Sequence, residues 1–233
     1  MTAFKGKVAI ITGATGLLAS GVIPVFRAGG ARLALSCGDD RLYQRFPDLR
    51  DDRNHICLQN ADLSDEATAA ALAAQTLEAF GRIDVLVNIV GGWDAGKPVH
   101  ETSAETWNTM LRLNATVAFM MSRAVIPAML GQGSGAIINI GAKPGLRANG
   151  MDAAYSASKS ALLRLTESLS EDYKRSGIRV NAVLPSTIAT EEQYAEDAQA
   201  GVTPAQLGRV IAFLASDASA AIHGALIPVF GTR

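Results

Sequence analysis

Val8-Ala9-Ile10-Ile11-Thr12-Gly13-Ala14-Thr15-Gly16-Leu17-Leu18-Ala19 is the stretch that decides the fold. Its first five residues are mostly β-branched and show no polar alternation, as expected of a strand buried on both faces of a parallel sheet. Glycines at 13 and 16 let the backbone turn tightly and approach a pyrophosphate closely. The helix that follows, to about residues 29–30, offers its N–H groups and positive dipole end to the phosphates. Ala19 takes the third small position, where helix and strand pack closely. Gly13, Thr15, Gly16 and Leu17 are therefore candidate contacts to a dinucleotide.

The rest of the chain repeats the same alternation. Further strands are expected at 31–36, 55–59, 83–88, 136–140, 178–184 and 225–229, with helices between them. Ser64 is the expected cap of an Ala-rich helix to about Phe80. Thr102-x-x-Glu105 reads as a capping box opening one long apolar-striped helix over 103–130, which Pro127 kinks or ends. A second long helix covers 152–176. Thr203-Pro204 caps another, with proline at its first position. The polar, weakly periodic piece 186–201 reads as a mobile lid over the strand ends. With no linker or repeat, residues 1–233 are expected to form one α/β domain. Its core is a doubly wound parallel sheet of about seven strands with helices on both faces.

Composition narrows the function. The chain has 233 residues, 48% apolar and 18% charged, with a net charge of −1. No basic footprint for nucleic acid or an anionic membrane is present. The apolar run Val8–Ile11 is too short for a signal core or a membrane span, so a cytoplasmic location is expected. Cys37 and Cys57 are too few for a disulfide framework, and a reducing compartment fits. No Cys/His cluster suggests a metal site.

Two regions at the strand ends carry chemistry. After the strand at 83–88 comes Ile89-Val90-Gly91-Gly92-Trp93, where glycines let a ligand lie against bare backbone at the edge where such sheets bind ligands. Trp93 either walls a pocket there or covers the sheet end. Tyr155 and Lys159 lie four apart on a helix and share a face. A cation beside a phenol favours the phenolate, bringing its ordinary pKa of about 10 toward neutrality, where it can give or take a proton. At the end of the second strand, Ser36-Cys37-Gly38 is followed by Asp39, Asp40 and Arg41, which leaves NAD versus NADP open.

Taken in order, these residues resemble the short-chain dehydrogenase/reductase family over essentially the whole chain. The cofactor turn is matched by Thr12–Gly16, in a Gly-x-x-Gly-x-x-Ala spacing closer to the family's extended branch. The adenine-contacting acid is matched by Asp62, followed by Leu63. Of the Asn-Asn-Ala-Gly turn only the ends survive, as Asn88 and Gly91. The Pro-Gly-x-x-x-Thr turn appears with Pro185 and Thr190. The resemblance implies that Tyr155 is the proton donor or acceptor, that Lys159 holds the nicotinamide ribose and depresses the tyrosine, and that Asn114 keeps a water in a proton relay. It also implies NAD or NADP as cofactor, a small-molecule substrate, and a homotetramer or homodimer built through the helices 103–130 and 152–176.

One position departs from the family. Its catalytic serine, thirteen residues before the tyrosine, falls on Ala142. Losing such a donor typically costs roughly 3–4 kcal/mol in the transition state. Either the chemistry is impaired, or another group substitutes, or the substrate does not need the donor. Gly91-Gly92-Trp93, Gly141-Ala142-Lys143 and Val183-Leu184-Pro185 locally resemble dihydropteridine reductases. These also lack the serine and reduce an electron-poor C=N system without forming an alkoxide. Trp93, Ala142 and Lys143 are thus candidate pocket residues. The expected function is hydride transfer to or from a small C=O or C=N compound. A dinucleotide-binding sensor and a non-redox dehydratase or cyclase are the alternatives.

Overall fold

In the computed structural model, which describes residues 3–59, 61–197 and 201–231, all seven expected strands join one parallel sheet. They are β1 Val8–Ile11, β2 Arg32–Cys37, β3 His55–Gln59, β4 Val85–Asn88, β5 Gly135–Ile140, β6 Ile178–Pro185 and β7 Leu226–Val229. The spatial order is β3-β2-β1-β4-β5-β6-β7. The order reverses between β1 and β4, and such a switch point opens a crevice at the carboxyl ends of the strands. β1 and β4 are buried along their whole length, which explains why their sequences are unbroken apolar runs.

Helices cover both faces. On one side α1 (Ala19–Ala28) and α9 (Pro204–Ala215) pack over a core of Phe26, Leu33, Leu35 and Leu207. On the other, α3 (Glu66–Phe80), α5 (Val117–Gln132) and α7 (Ala153–Tyr173) enclose a core that includes Leu72, Leu86, Met121, Val125 and Ile137. Short helices α2 (Arg41–Arg45), α4 (Ala104–Leu111), α6 (Lys143–Leu146) and α8 (Glu191–Glu196) complete the chain. α1 and α9 touch backbone to backbone. A Cβ on Gly21 would lie 1.9 Å from the Pro204 carbonyl oxygen, and one on Gly208 2.3 Å from that of Gly21.

Several local expectations change. The helix cap is Asp65, which accepts from the Thr68 amide, while Ser64 is bonded to Asp62. Ser103 caps α4 by accepting from Thr106, and the Thr102 hydroxyl instead donates to the Pro98 carbonyl. The expected single helix 103–130 is interrupted by a π-turn at Arg112–Thr116, and Pro127 lies inside α5 without ending it. Ala104–Gln132 is long and apolar enough to cross a membrane by length and composition, with a mean hydropathy of 1.4. Here Met121, Val125 and Met129 of this stretch are fully buried in the core. The lid is not featureless: Thr190 and Gln193 form a capping box that starts α8, and Ile188 pairs with Val202. Residues 198–200 of it, and Asn60 after β3, lie outside the described residues. Thr203 caps α9 as expected, with Pro204 at its first position.

The cysteines require a larger correction. Parallel pairing of β2 with β3 brings Cys37 and Cys57 to neighbouring strands with their Cα atoms 6.6 Å apart, within disulfide reach, and their sulfurs are joined. Two cysteines twenty positions apart give no sign of this until strand order is known.

Candidate active site

The glycine-rich turn leaves β1 under restraint from three side chains. The Thr12 hydroxyl accepts from the amides of Ile89 at 2.9 Å and Val90 at 3.2 Å, tying the ends of β1 and β4 together. The Gly13 amide donates to the Ser36 hydroxyl at 3.0 Å. Arg45 donates to the carbonyls of Gly16 at 2.8 Å and Thr15 at 3.3 Å. Gly13 has φ of 67°, and a Cβ there would lie 3.2 Å from Val90, so the position suits glycine twice over. Regular helix begins at Ala19, at the end of the turn. Leu17 and Thr190 line a neighbouring cleft beside Gly21. This cradle of bare backbone at a helix start fits a dinucleotide's phosphates.

A cleft of roughly 770 Å³ opens beside it at the ends of β4, β5 and β6. It brings together Gly91, Trp93, Ala142, Lys143, Tyr155, Lys159 and Pro185, all expected from the sequence. Trp93 stands on its rim, 71% exposed. Gly91 and Gly92 form the floor. A Cβ on Gly91 would come 2.8 Å from Asn114 Oδ1, and one on Gly92 2.8 Å from the Leu113 side chain.

Asn114 lies behind that floor, at the π-turn, a helix irregularity that often marks a functional position. Its Oδ1 accepts from the Gly92 amide at 3.0 Å, and its Nδ2 donates to the Gly92 carbonyl and to the Ser158 hydroxyl, each at 3.0 Å. It thus clamps the glycine turn onto α7. The Ser158 hydroxyl in turn donates to the Tyr155 carbonyl at 2.8 Å. Ser158 was not singled out by the sequence; a serine in Tyr-Ser-Ala-Ser-Lys reads as helix filler. Asn149 also lines the cleft and carried no earlier signal, whereas Ser186 and Thr187, which line it too, open the piece expected to be a lid.

Tyr155 and Lys159 do not stand as expected electrostatically. Lys159 is buried, its Nζ donates to the Ile140 carbonyl at 2.8 Å, and it lies 6.0 Å from the centre of the Tyr155 ring. Burial pushes the ammonium down to about 8. The phenol is raised above its ordinary value, first by its own burial and then by the Asp152 carboxylate. A depressed tyrosine, expected from the four-residue spacing, is therefore not what the protein shows by itself. Burial dominates, and Lys159 is directed at a carbonyl.

The remaining candidates lie outside the cleft. Asp62 is exposed at the end of β3. Bonds to Ser64 first, and then the nearby Arg112, hold its carboxyl below the ordinary range. Leu63 is buried beneath it. Asn88 belongs to the sheet interior, its Nδ2 donating to Asn139 Oδ1 at 2.9 Å; Asn139 in turn donates to Thr166. Among the described residues no group of three His, Cys, Asp or Glu side chains could hold a metal ion.

The family model described as short chain dehydrogenase matches residues 7–200. Among curated relatives, a 2-(R)-hydroxypropyl-CoM dehydrogenase of Xanthobacter autotrophicus is 34% identical, the match covering 97% of each chain. A D-threitol dehydrogenase of Mycolicibacterium smegmatis is 31% identical over 97% of this chain and 92% of its own. Among solved structures, NAD+-bound xylitol dehydrogenase superposes with a TM-score of 0.88 at 24% identity, covering 98% of this chain and 99% of that one.

Proposed function

The chain belongs to the short-chain dehydrogenase family of oxidoreductases, and from that premise we propose that it moves hydride between NAD or NADP and a small C=O or C=N compound. The observation that carries this reading is the convergence of Tyr155, Lys159 and the bare Gly91-Gly92 backbone on one cleft beside the glycine-rich turn. The nicotinamide supplies the hydride acceptor or donor when bound. Gly13, Thr15, Gly16 and Leu17 would hold the phosphates, with Asp62 and Leu63 at the adenine and Asn88, Gly91, Pro185 and Thr190 along the nicotinamide half. Tyr155 would give a proton to the reduced substrate atom, or take one from a hydroxyl as hydride leaves the neighbouring carbon. A raised phenol is protonated at neutral pH, which suits donation. Lys159 would hold the ribose and recharge the tyrosine. Asn114 would act through the Gly92 turn and the Ser158 hydroxyl, keeping a water in the proton relay.

The relatives' names describe alcohol dehydrogenases, which supports a hydroxyl–carbonyl pair. Ala142, 5% exposed in the cleft wall, supports a substrate with less need of an alkoxide donor, such as the electron-poor C=N of a pterin-like compound. Tyr155→Phe is expected to abolish NAD(P)-linked turnover across a carbonyl, alcohol and imine panel while nucleotide affinity, read by fluorescence titration, is retained. Full activity in that variant would remove Tyr155 from the mechanism. Ala142 also favours a second reading, a dinucleotide-binding sensor or a dehydratase/cyclase. Tight nucleotide binding without any redox turnover of the panel by the wild type would select it.

A further inference from the structure

Lys143 is a cation in the substrate cleft with no counter-charge among the described residues. It follows Ala142 at the end of β5 and is exposed to the cleft, and no carboxylate lines that cleft among the described residues. The other cation there, Lys159, is committed to the Ile140 carbonyl. Lys143 makes no ion pair with a described residue. Its ammonium lies over the face of Phe230, 5.5 Å from the ring centre. That contact steadies the head group and leaves its N–H donors free, since a ring face accepts charge without taking directed hydrogen bonds. The cleft also offers the apolar side chains of Ile140, Pro144 and Ile188, beside the polar Asn149, Ser186 and Thr187, so a charge contact inside it is less screened than on the open surface.

Two other occupants for this cation are disfavoured by position. A structural partner would be an acid, and none lines the cleft among the described residues. The dinucleotide's phosphates belong at the glycine turn after β1, whereas Lys143 follows β5. β4 lies between them, so the two sites are separated by two strand spacings, about 10 Å.

We propose that Lys143 selects substrates bearing an anionic group, a carboxylate or a similar oxyanion, separate from the reacting carbon. The proposal rests on the oxidoreductase reading for its catalytic test but not for its binding test. Lys143 would dock the anion while Tyr155 serves the reacting oxygen or nitrogen, so a charged handle distant from the reacting atom would fix the orientation that the missing serine does not.

The experiment compares matched pairs of small hydroxy or oxo acids and their methyl esters. The readout is the ratio of kcat/KM for acid over ester in wild type, Lys143→Met, Lys143→Arg and Lys143→Glu. A charge-assisted contact should give the wild type a preference of about tenfold for the acid. Lys143→Met should bring the ratio near one, Lys143→Glu should invert it, and Lys143→Arg should retain it. Nucleotide affinity in Lys143→Met is the control; a loss of nucleotide binding equal to the loss in kcat/KM would put the cation on the cofactor and overturn the proposal. An equal wild-type preference for acid and ester, or one that survives Lys143→Met, also overturns it. If no member of the panel turns over, the oxidoreductase reading fails separately. The same acids and esters are then titrated against nucleotide-saturated protein by tryptophan fluorescence. Acid-selective binding lost in Lys143→Met upholds the proposal, and its absence overturns it.

Discussion

At the scale of single residues, burial outweighs sequence spacing. Tyr155 and Lys159 were legible as a pair because i and i+4 share a helix face. Their electrostatics were not, because these depend on enclosure by the end of β5, which distant parts of the chain supply. With its folded value near 8 against an ordinary value near 10.5, Lys159 carries a cost for being charged inside the protein. The unfolded chain binds that proton more tightly, so the cost is full below about pH 8. It is lifted as pH rises toward 10.5, and over the whole window it amounts to roughly 3 kcal/mol. Lys159→Met is therefore expected to unfold at higher urea than wild type at pH 7, net of the lost bond to Ile140, and the difference should shrink by pH 10. A gap between the two proteins that does not change with pH would contradict the charge burial. Ala142 was also legible, as a departure from the family's pattern, and Trp93 and Lys143 were legible through the short motifs that contain them. Ser158 and Asn149 were not, since nothing in a lone polar residue says which surface it will face.

Among the elements, the strands were the easiest to read, because a strand buried on both sides writes itself as a continuous apolar run. Boundaries were harder. Thr102 and Ser103, or Ser64 and Asp65, are adjacent capping residues, and the chain's approach angle decides which oxygen meets the amide. The α1–α9 contact was invisible for a different reason: Gly21 and Gly208 look like poor helix residues until the two backbones are seen to touch. Gly208→Ala tests this. Alanine would gain about 1 kcal/mol of helix propensity at an exposed site. Here its Cβ meets the Gly21 carbonyl at 2.3 Å, so the net expectation is a loss of about 1–3 kcal/mol in urea unfolding. A more stable variant would mean that the helices can part without cost.

For the whole molecule, the exposed aromatic residues of the central helices matter most. Trp107 on α4 and Phe119 on α5 are 43% and 45% exposed, large apolar surfaces on the helices expected to meet a second copy. Sedimentation of the wild type should show a dimer or tetramer at micromolar concentration, and Phe119→Glu should shift it toward smaller species. A wild-type monomer would exclude that assembly. The same helical rod serves two masters through the π-turn between them. In an uninterrupted α-helix Asn114 and Met121, seven positions apart, would point within about 20° of each other. The extra residue of the π-turn acts as a phase shift of about one residue's rotation. It lets Asn114 face Gly92 while Met121 is seated in the core. The two halves of the helix are thus aimed separately, one at the Gly92 turn and the other at the core.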